Sequence, residues 1–202
     1  MIRTIIFDLG KVLIPFDWRR GYSALAEHSP YSPEEVRARI KEAGLFDPFE
    51  RGLIPPEDLA RRVSVAVGLD GIGFDRFCEL WSSIFLPETL LPDELLETLH
   101  RRHRLLLLSN TDVIHYRWVA ARYPLLRHFD GAILSFELGC RKPEPAIYEA
   151  AVRKADCAPP EIFFTDDIEE NVAGARSAGI DAVRFESREQ LERELRRRGV
   201  EC

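Results

Sequence analysis

The sequence predicts an α/β protein in which a parallel sheet is covered by helices on both faces and an all-α module follows the first strand. Three observations predict it. Five short apolar, β-prone runs alternate with helical patterns, as strands buried on both faces of a parallel sheet do. Between the first and second of these runs lies a long stretch with helix signals and no convincing strand. The chain of 202 residues also exceeds the ~150 of a typical domain by more than loops need. The expected architecture is a three-layer, Rossmann-like α/β/α core from residues 1–15 and 88–202, with a helical cap at 16–87.

The strands are read at Thr4–Phe7, Leu105–Leu108, Ala132–Leu134, Ile162–Phe164 and Ala182–Phe185, apolar runs too short for helices and closed by polar or small residues. Four cap helices are expected, at about Arg19–Glu27, Pro33–Glu42, Pro56–Val67 and Gly73–Ile84. The second begins on Ser32-Pro33-Glu34-Glu35, an N-cap, a proline at the first helical position and acids in the first turn. Pro92–Arg101 leads back to the sheet, and Lys142-Pro143-Glu144-Pro145 opens Ala146–Lys154. Asp167–Ala178 ends at Gly179, and Arg188–Arg198 carries acids early and arginines late, as its dipole favours. The proline-containing segments Leu13–Trp18 and Leu86–Pro92 are the expected hinges.

Composition narrows the function classes. With 46% hydrophobic, 31% charged and 10% aromatic residues, disordered and collagen-like classes drop out. A net charge of −6 argues against a nucleic-acid partner, because a negative surface repels phosphate backbones. The longest aliphatic run, Leu105–Leu108, cannot cross a bilayer. Four cysteines without a CxxC pair and no leader pattern at the N-terminus lead to the expectation of a reducing cytoplasm. The oligomeric state is left open.

Ligands of open parallel sheets bind at the carboxyl ends of the strands, where strand order reverses. The polar residues at those ends are Asp8, Ser109-Asn110-Thr111, Arg141-Lys142 and Asp166-Asp167. Converging carboxylates repel one another unless a cation lies between them, so three acids call for a metal. Oxygen ligands with no nearby histidine or cysteine favour Mg²⁺. Ser109, with exposed backbone amides, and Lys142 suit the remaining oxygens of a phosphate. The set reads as a phosphoryl-transfer site in which Asp8 could attack phosphorus and form an aspartyl-phosphate. Each residue alone has a plain structural reading as a turn, cap or loop residue. Their occurrence in order at successive strand ends favours the functional one. A phospho-receiver module, which uses similar groups, places its acidic pair at the first strand and its acceptor later, the reverse of this order.

Ile5-Ile6-Phe7-Asp8-Leu9-Gly10-Lys11-Val12-Leu13 resembles motif one of the haloacid dehalogenase-like superfamily. Leu107-Leu108-Ser109-Asn110-Thr111 resembles motif two, Arg141-Lys142-Pro143 motif three, and Phe163-Phe164-Thr165-Asp166-Asp167 with Asn171 motif four. The long gap between Asp8 and Ser109 suits members with a helical cap. Asp-Leu-Gly, Ser-Asn-Thr and Glu137-Leu138-Gly139 before Arg141 look most like the bacterial α-D-glucose-1-phosphate phosphatase group. The resemblance implies a Mg²⁺-dependent phosphatase acting on a small phosphate ester. It makes Asp8 the nucleophile and a metal ligand. Gly10 would ligate through its carbonyl, Asp167 directly, and Asp166 directly or through a partner. Ser109, the Asn110 amide and Lys142 would hold the phosphoryl group.

The sequence departs from the family at one position. Most phosphatases of the superfamily carry a second Asp two residues after the nucleophile, which protonates the leaving alcohol; here that residue is Gly10. Such an acid supplies ~10²–10⁴ in rate. Three explanations are weighed. Another group, such as Asp17, a cap residue or a metal-bound water, substitutes, with an acidic leaving group such as that of an anomeric sugar phosphate. The chain is a 2-haloacid dehalogenase, which needs neither acid nor metal. Or it is a catalytically silent phosphate-binding or regulatory protein. In the cap, Glu50-Arg51-Gly52 falls between two expected helices, where Arg51 could reach a sugar hydroxyl or phosphate. Trp18 and Phe16 could face a sugar ring or pack in the cap. Lys11 could add positive charge at the site or point to solvent. The five histidines show no ligand spacing and read as surface or structural residues.

Overall fold

The computed structural model describes residues 1–202. Strands β1 (Thr4–Phe7), β2 (Arg104–Ser109), β3 (Gly131–Leu134), β4 (Ile162–Asp166) and β5 (Asp181–Arg184) form one parallel sheet in the order β3-β2-β1-β4-β5. Chain order runs outward from β1 to β3 and then returns to β4 on the other side. The reversal lies between β1 and β4, whose carboxyl ends carry Asp8 and Asp166.

Both sheet faces are apolar because neighbouring residues of β1 and β2 point to opposite sides. Ile5, Phe7, Leu105 and Leu107 enter one cluster, closed by helices α6 (Asp93–His100), α7 (Val113–Arg122) and α11 (Arg188–Arg197). Ile6, Leu106, Leu108 and Phe164 enter the other, beneath α9 (Pro145–Ala155) and α10 (Glu169–Ser177). A third cluster holds α1 (Trp18–Ala26), α2 (Pro33–Glu42), α3 (Phe46–Glu50), α4 (Pro56–Val67) and α5 (Phe74–Ser82) together, with Ile114 of α7 joining from the core. The stretch after β1 thus contains five helices where the sequence suggests four. Helix α3 is a single short turn whose Leu45 N-cap makes no side-chain bond, so it carries no start signal. A second unread turn, α8 (Ser135–Leu138), also starts without a side-chain cap and ends on left-handed Gly139.

Helix α2 starts on a capping box: Ser32 accepts from the Glu35 N–H while Glu35 accepts from the Ser32 N–H. Helix α10 begins at Glu169, two residues later than expected, because Asp166 bonds the Ile168 N–H at 2.9 Å and holds Asp167 outside the helix. The chain enters and leaves the cap through two adjacent segments. Asp17 donates to Ile84 O (2.9 Å), Leu86 to Pro15 O (3.0 Å) and Leu90 to Leu13 O (2.9 Å), with Phe16 bridged antiparallel to Phe85. We place the division between core and cap at this seam.

Removing buried bulk from the sheet should cost far more than trimming the cap surface. Leu106→Ala, at a site with no exposure, is expected to lower the unfolding free energy by about 2–5 kcal/mol. Val65→Ala, at a site 78% exposed, should stay within about 0.5 kcal/mol. Urea denaturation followed by circular dichroism checks both.

Candidate active site

The site is built on strand ends. β1 hands its ladder on through the Asp8 N–H, which donates to Thr165 O at 3.0 Å, so Asp8 is fixed beside the end of β4. A tight turn then folds Leu9 to Ile14 back on itself, with the Leu13 and Ile14 N–H groups both on Leu9 O. Its Gly10 carbonyl accepts no hydrogen bond from the protein. Lys11 takes a left-handed conformation (φ 58°), and its exposed ammonium lies 5.3 Å from the Phe16 ring centroid.

Lys142 arrives from the loop between β3 and α9 and is buried. Its ammonium donates to Asp8 Oδ1 (2.7 Å), Asp166 Oδ2 (2.5 Å) and Leu108 O (2.8 Å). An ammonium has three donors, and all three are used. The backbone of Lys142 is gripped by the Asn110 side chain, whose Nδ2 donates to Lys142 O while its Oδ1 accepts the Lys142 N–H. Asn110 therefore positions Lys142 through its side chain, while its own N–H meets no protein acceptor. Ser109 is buried at the end of β2, and its hydroxyl also has no protein partner. The next turn is pinned by buried Ser135, which donates to Thr111 O and accepts the Thr111 N–H.

Asp8, Asp166 and Asp167 bring carboxylate oxygens within 4.8 Å of one another. They are not equivalent. Asp166 is fully buried and committed, accepting from Lys142, from the Ile168 N–H and from Asn171 Nδ2 on both oxygens. Asp167 is half-buried and makes no hydrogen bond to another side chain. Burial pushes the Asp8 pKa up to about 7; Lys142 opposes the rise and Asp166 adds to it. Burial and then Asp166 also raise Asp167, with Lys11 and Lys142 opposing. With all three carboxylates ionised, the single ammonium of Lys142 would leave two negative charges uncompensated in a buried pocket, which is why Asp8 and Asp167 are pushed toward their neutral forms. A hard dication fits these charges, with Asp8, Asp167 and the Gly10 carbonyl as the free oxygens and Asp166 as the group that orients Lys142.

A family model for haloacid dehalogenase-like hydrolases matches residues 2–179. The chain belongs to the haloacid dehalogenase-like hydrolase family. It is 22% identical to a D-ribitol-5-phosphate phosphatase of Bacteroides thetaiotaomicron, over 96% of this chain and 97% of that one. It is 25% identical to a sesquiterpene phosphatase of Aspergillus oryzae, over 88% and 87%. Among solved structures it is similar to a haloacid dehalogenase-like enzyme of B. thetaiotaomicron (TM-score 0.83, 28% identity, 96% and 98% coverage). The same enzyme is also known in complex with magnesium and inorganic phosphate (TM-score 0.78, 27% identity, 93% and 96% coverage).

The two cap residues read from the sequence occupy different settings in this hydrolase. Trp18 stacks on Tyr22 and meets Phe46, Trp81 and His115 edge-on, so it packs the cap while also lining a cleft against the core. Arg51 is held in ion pairs with Asp47 (3.0 Å) and Glu144 (2.5 Å), which raise its pKa. It clasps the cap to the Lys142 loop and does not enter the cleft. Arg141 repeats the clasp, with Asp47 and Glu50 each 2.9 Å away. Asp17, a candidate for the missing acid, is bound by the Arg19 guanidinium, which lowers its pKa.

The cleft, about 70 Å³ in volume, is lined by Gly10, Ser109 and Asn110 from the core and by Trp18 and Glu50 from the cap. His115 also lines it. Sequence reading sets His115 among surface or structural histidines; it is buried, with Nδ1 2.8 Å from Asp112 and Nε2 3.1 Å from Trp81 O. Both nitrogens face acceptors, and although burial disfavours the charged ring, Asp112 and the Trp81 carbonyl hold its pKa above the usual histidine value. The available signal was Asp112 followed by His115 at a helix start, a spacing that brings both to one face.

Gly52 sets how closely cap and core approach. It is left-handed (φ 67°), and a Cβ there would overlap the Phe136 carbonyl oxygen of α8. Gly44 is also left-handed (φ 63°) but faces open space. Gly44→Ala is expected to cost only the ~1–2 kcal/mol of the backbone conformation. Gly52→Ala should cost measurably more in the same denaturation experiment, because it also wedges the seam.

Proposed function

We propose that this hydrolase is a Mg²⁺-dependent phosphatase that cleaves a small phosphate monoester through an aspartyl-phosphate on Asp8. The observation that carries the reading is the Lys142 ammonium shared by Asp8 and Asp166, with Asp167 and the Gly10 carbonyl left free beside them. A 2-haloacid dehalogenase has no use for three converging acids, which only cost stability without a cation. The phosphatase relatives and the related enzyme bound to magnesium and phosphate support the same choice.

Asp8, Asp167 and the Gly10 carbonyl would hold the metal, which neutralises carboxylate and phosphate charge and keeps Asp8 ionised at neutral pH. Asp8 attacks phosphorus opposite the ester oxygen. Ser109 Oγ and the Asn110 N–H, both without protein partners, bind phosphoryl oxygens. Lys142 stabilises the charge that builds on them. Asp166 and Asn110 act on the substrate through Lys142, one fixing its ammonium and the other its backbone.

The cleft has room for about two waters, so a leaving group enters only as the cap separates from the core. Its walls combine aromatic faces, Trp18 and Phe16, with the polar Glu50 and His115. That mixture suits a sugar or polyol, whose C–H faces pack on rings while its hydroxyls hydrogen-bond. A sugar phosphate, an anomeric one included, is the proposed substrate class.

Phosphate release across sugar, polyol, nucleotide and aryl phosphates tests the reading. Turnover should require Mg²⁺ and stop in chelator, and Asp8→Asn should lose about 10³-fold or more while keeping its circular dichroism spectrum. Halide release from a 2-haloacid that persists in chelator would establish the dehalogenase. Phosphate binding with no turnover of any ester would establish the silent alternative.

A further inference from the structure

The slot in which a second Asp would follow the nucleophile is occupied. A Cβ on Gly10 would lie 2.6 Å from Cε1 of Phe16, so the ring fills the space an acidic side chain would need. The leaving oxygen must obtain its proton elsewhere in the cleft. Two titratable side chains line that cleft, His115 and Glu50. His115 has both nitrogens committed, to Asp112 and to the Trp81 carbonyl. Asp17 lies outside, bound by Arg19.

Glu50 is different. It closes helix α3 where the cap faces Ser109, and its Oε2 is buried without a hydrogen bond. Arg141 Nη2 lies 2.9 Å from that oxygen but off the hydrogen-bond direction, and no protein donor bonds either oxygen. We propose that Glu50 is the catalytic residue that protonates the leaving oxygen and later activates water, in place of the acid that Gly10 cannot carry. This rests on the phosphatase reading above.

The two half-reactions balance. As Asp8 bonds to phosphorus and the ester P–O bond breaks, the Glu50 carboxyl gives its proton to the departing oxygen, yielding the alcohol, phospho-Asp8 and a Glu50 carboxylate. That carboxylate then takes a proton from water, whose oxygen attacks phosphorus from the side the alcohol vacated. The P–O bond to Asp8 breaks, releasing inorganic phosphate and restoring Asp8 and protonated Glu50. Groups around Glu50 balance its charge: Arg141 and His115 favour the carboxylate, while Asp112 and Asp47 oppose it. Burial outweighs them and raises its pKa, toward the range in which one carboxyl can act as both acid and base.

Glu50→Gln keeps the shape and removes the proton. With the best alkyl phosphate found in the substrate screen, kcat/KM should fall by about 10²–10⁴. With p-nitrophenyl phosphate, whose leaving group needs no proton, the variant should release one equivalent of nitrophenolate in a burst near the wild-type rate. Slow turnover should follow, because water attack is then unassisted. In Glu50→Ala, formate should restore part of the alkyl-phosphate rate and chloride should not. Unchanged alkyl turnover, a raised KM with normal kcat, or equal loss of the aryl burst and the alkyl rate would overturn the proposal. Wild-type protein that turns over esters normally with Mg²⁺ while Glu50→Gln behaves in one of those ways leaves the phosphatase reading standing. Failure of the wild type on every ester removes both.

Discussion

The buried carboxylates of Asp8 and Asp166 share one ammonium, that of Lys142, and the third proton donor of that ammonium is taken by Leu108 O. Burying two acids side by side is unfavourable unless a cation is supplied with good hydrogen-bond geometry. The fold supplies it from a distant part of the sequence. Parallel strands bring Asp8 and Asp166 to adjacent carboxyl ends at the strand-order reversal, and the β3–α9 loop must then reach over β2 to place Lys142 between them. The Asn110 clamp on the Lys142 backbone and the Ser135 latch on Thr111 serve that reach. So does Asn171, which steadies the far side of Asp166.

The same loop is where the cap attaches. Arg51 on Glu144 and Arg141 on Asp47 and Glu50 join helix α3 to the segment that carries Lys142. Gly52 lets the two backbones close to contact. These ion pairs are partly exposed, where water and salt screen them. The cap wall of the cleft therefore shares its mounting with the loop that carries Lys142.

The core was legible because its signals are local. Short apolar runs closed by Asp8, Ser109 and Asp166 mark strands and, at once, their functional ends. Start signals such as Ser32-Pro33 mark helices. Helix α3 was not legible, since a single turn with Leu45 at its N-cap and Pro48 inside it has neither periodicity nor a cap, and it forms because Phe49 is buried in the cap cluster. The setting of Arg51 depended on Asp47 and on Glu144, far along the chain, a pairing that sequence spacing does not encode. The burial of His115 had the same origin, since Trp81 and Trp18 enclose it only once α5 packs on α7. Gly10 read as a missing acid; that Phe16 fills its place needed the fold of the turn that follows.

The dependence of the site on Lys142 can be measured without substrate. Asp8, with its pKa raised to about 7 in the folded protein, contributes stability at low pH that is lost as pH rises through that value. Lys142 limits this loss by favouring the carboxylate. Urea denaturation of wild type and Lys142→Met, both in chelator, should already give separated unfolding free energies at pH 5.5, where Asp8 is neutral in both but Asp166 has lost its ammonium partner in the variant. The gap should widen steadily between pH 7 and 8.5. A gap of the same size at every pH would show that Lys142 does not act on the Asp8 charge and would contradict the sharing of its ammonium between the two acids.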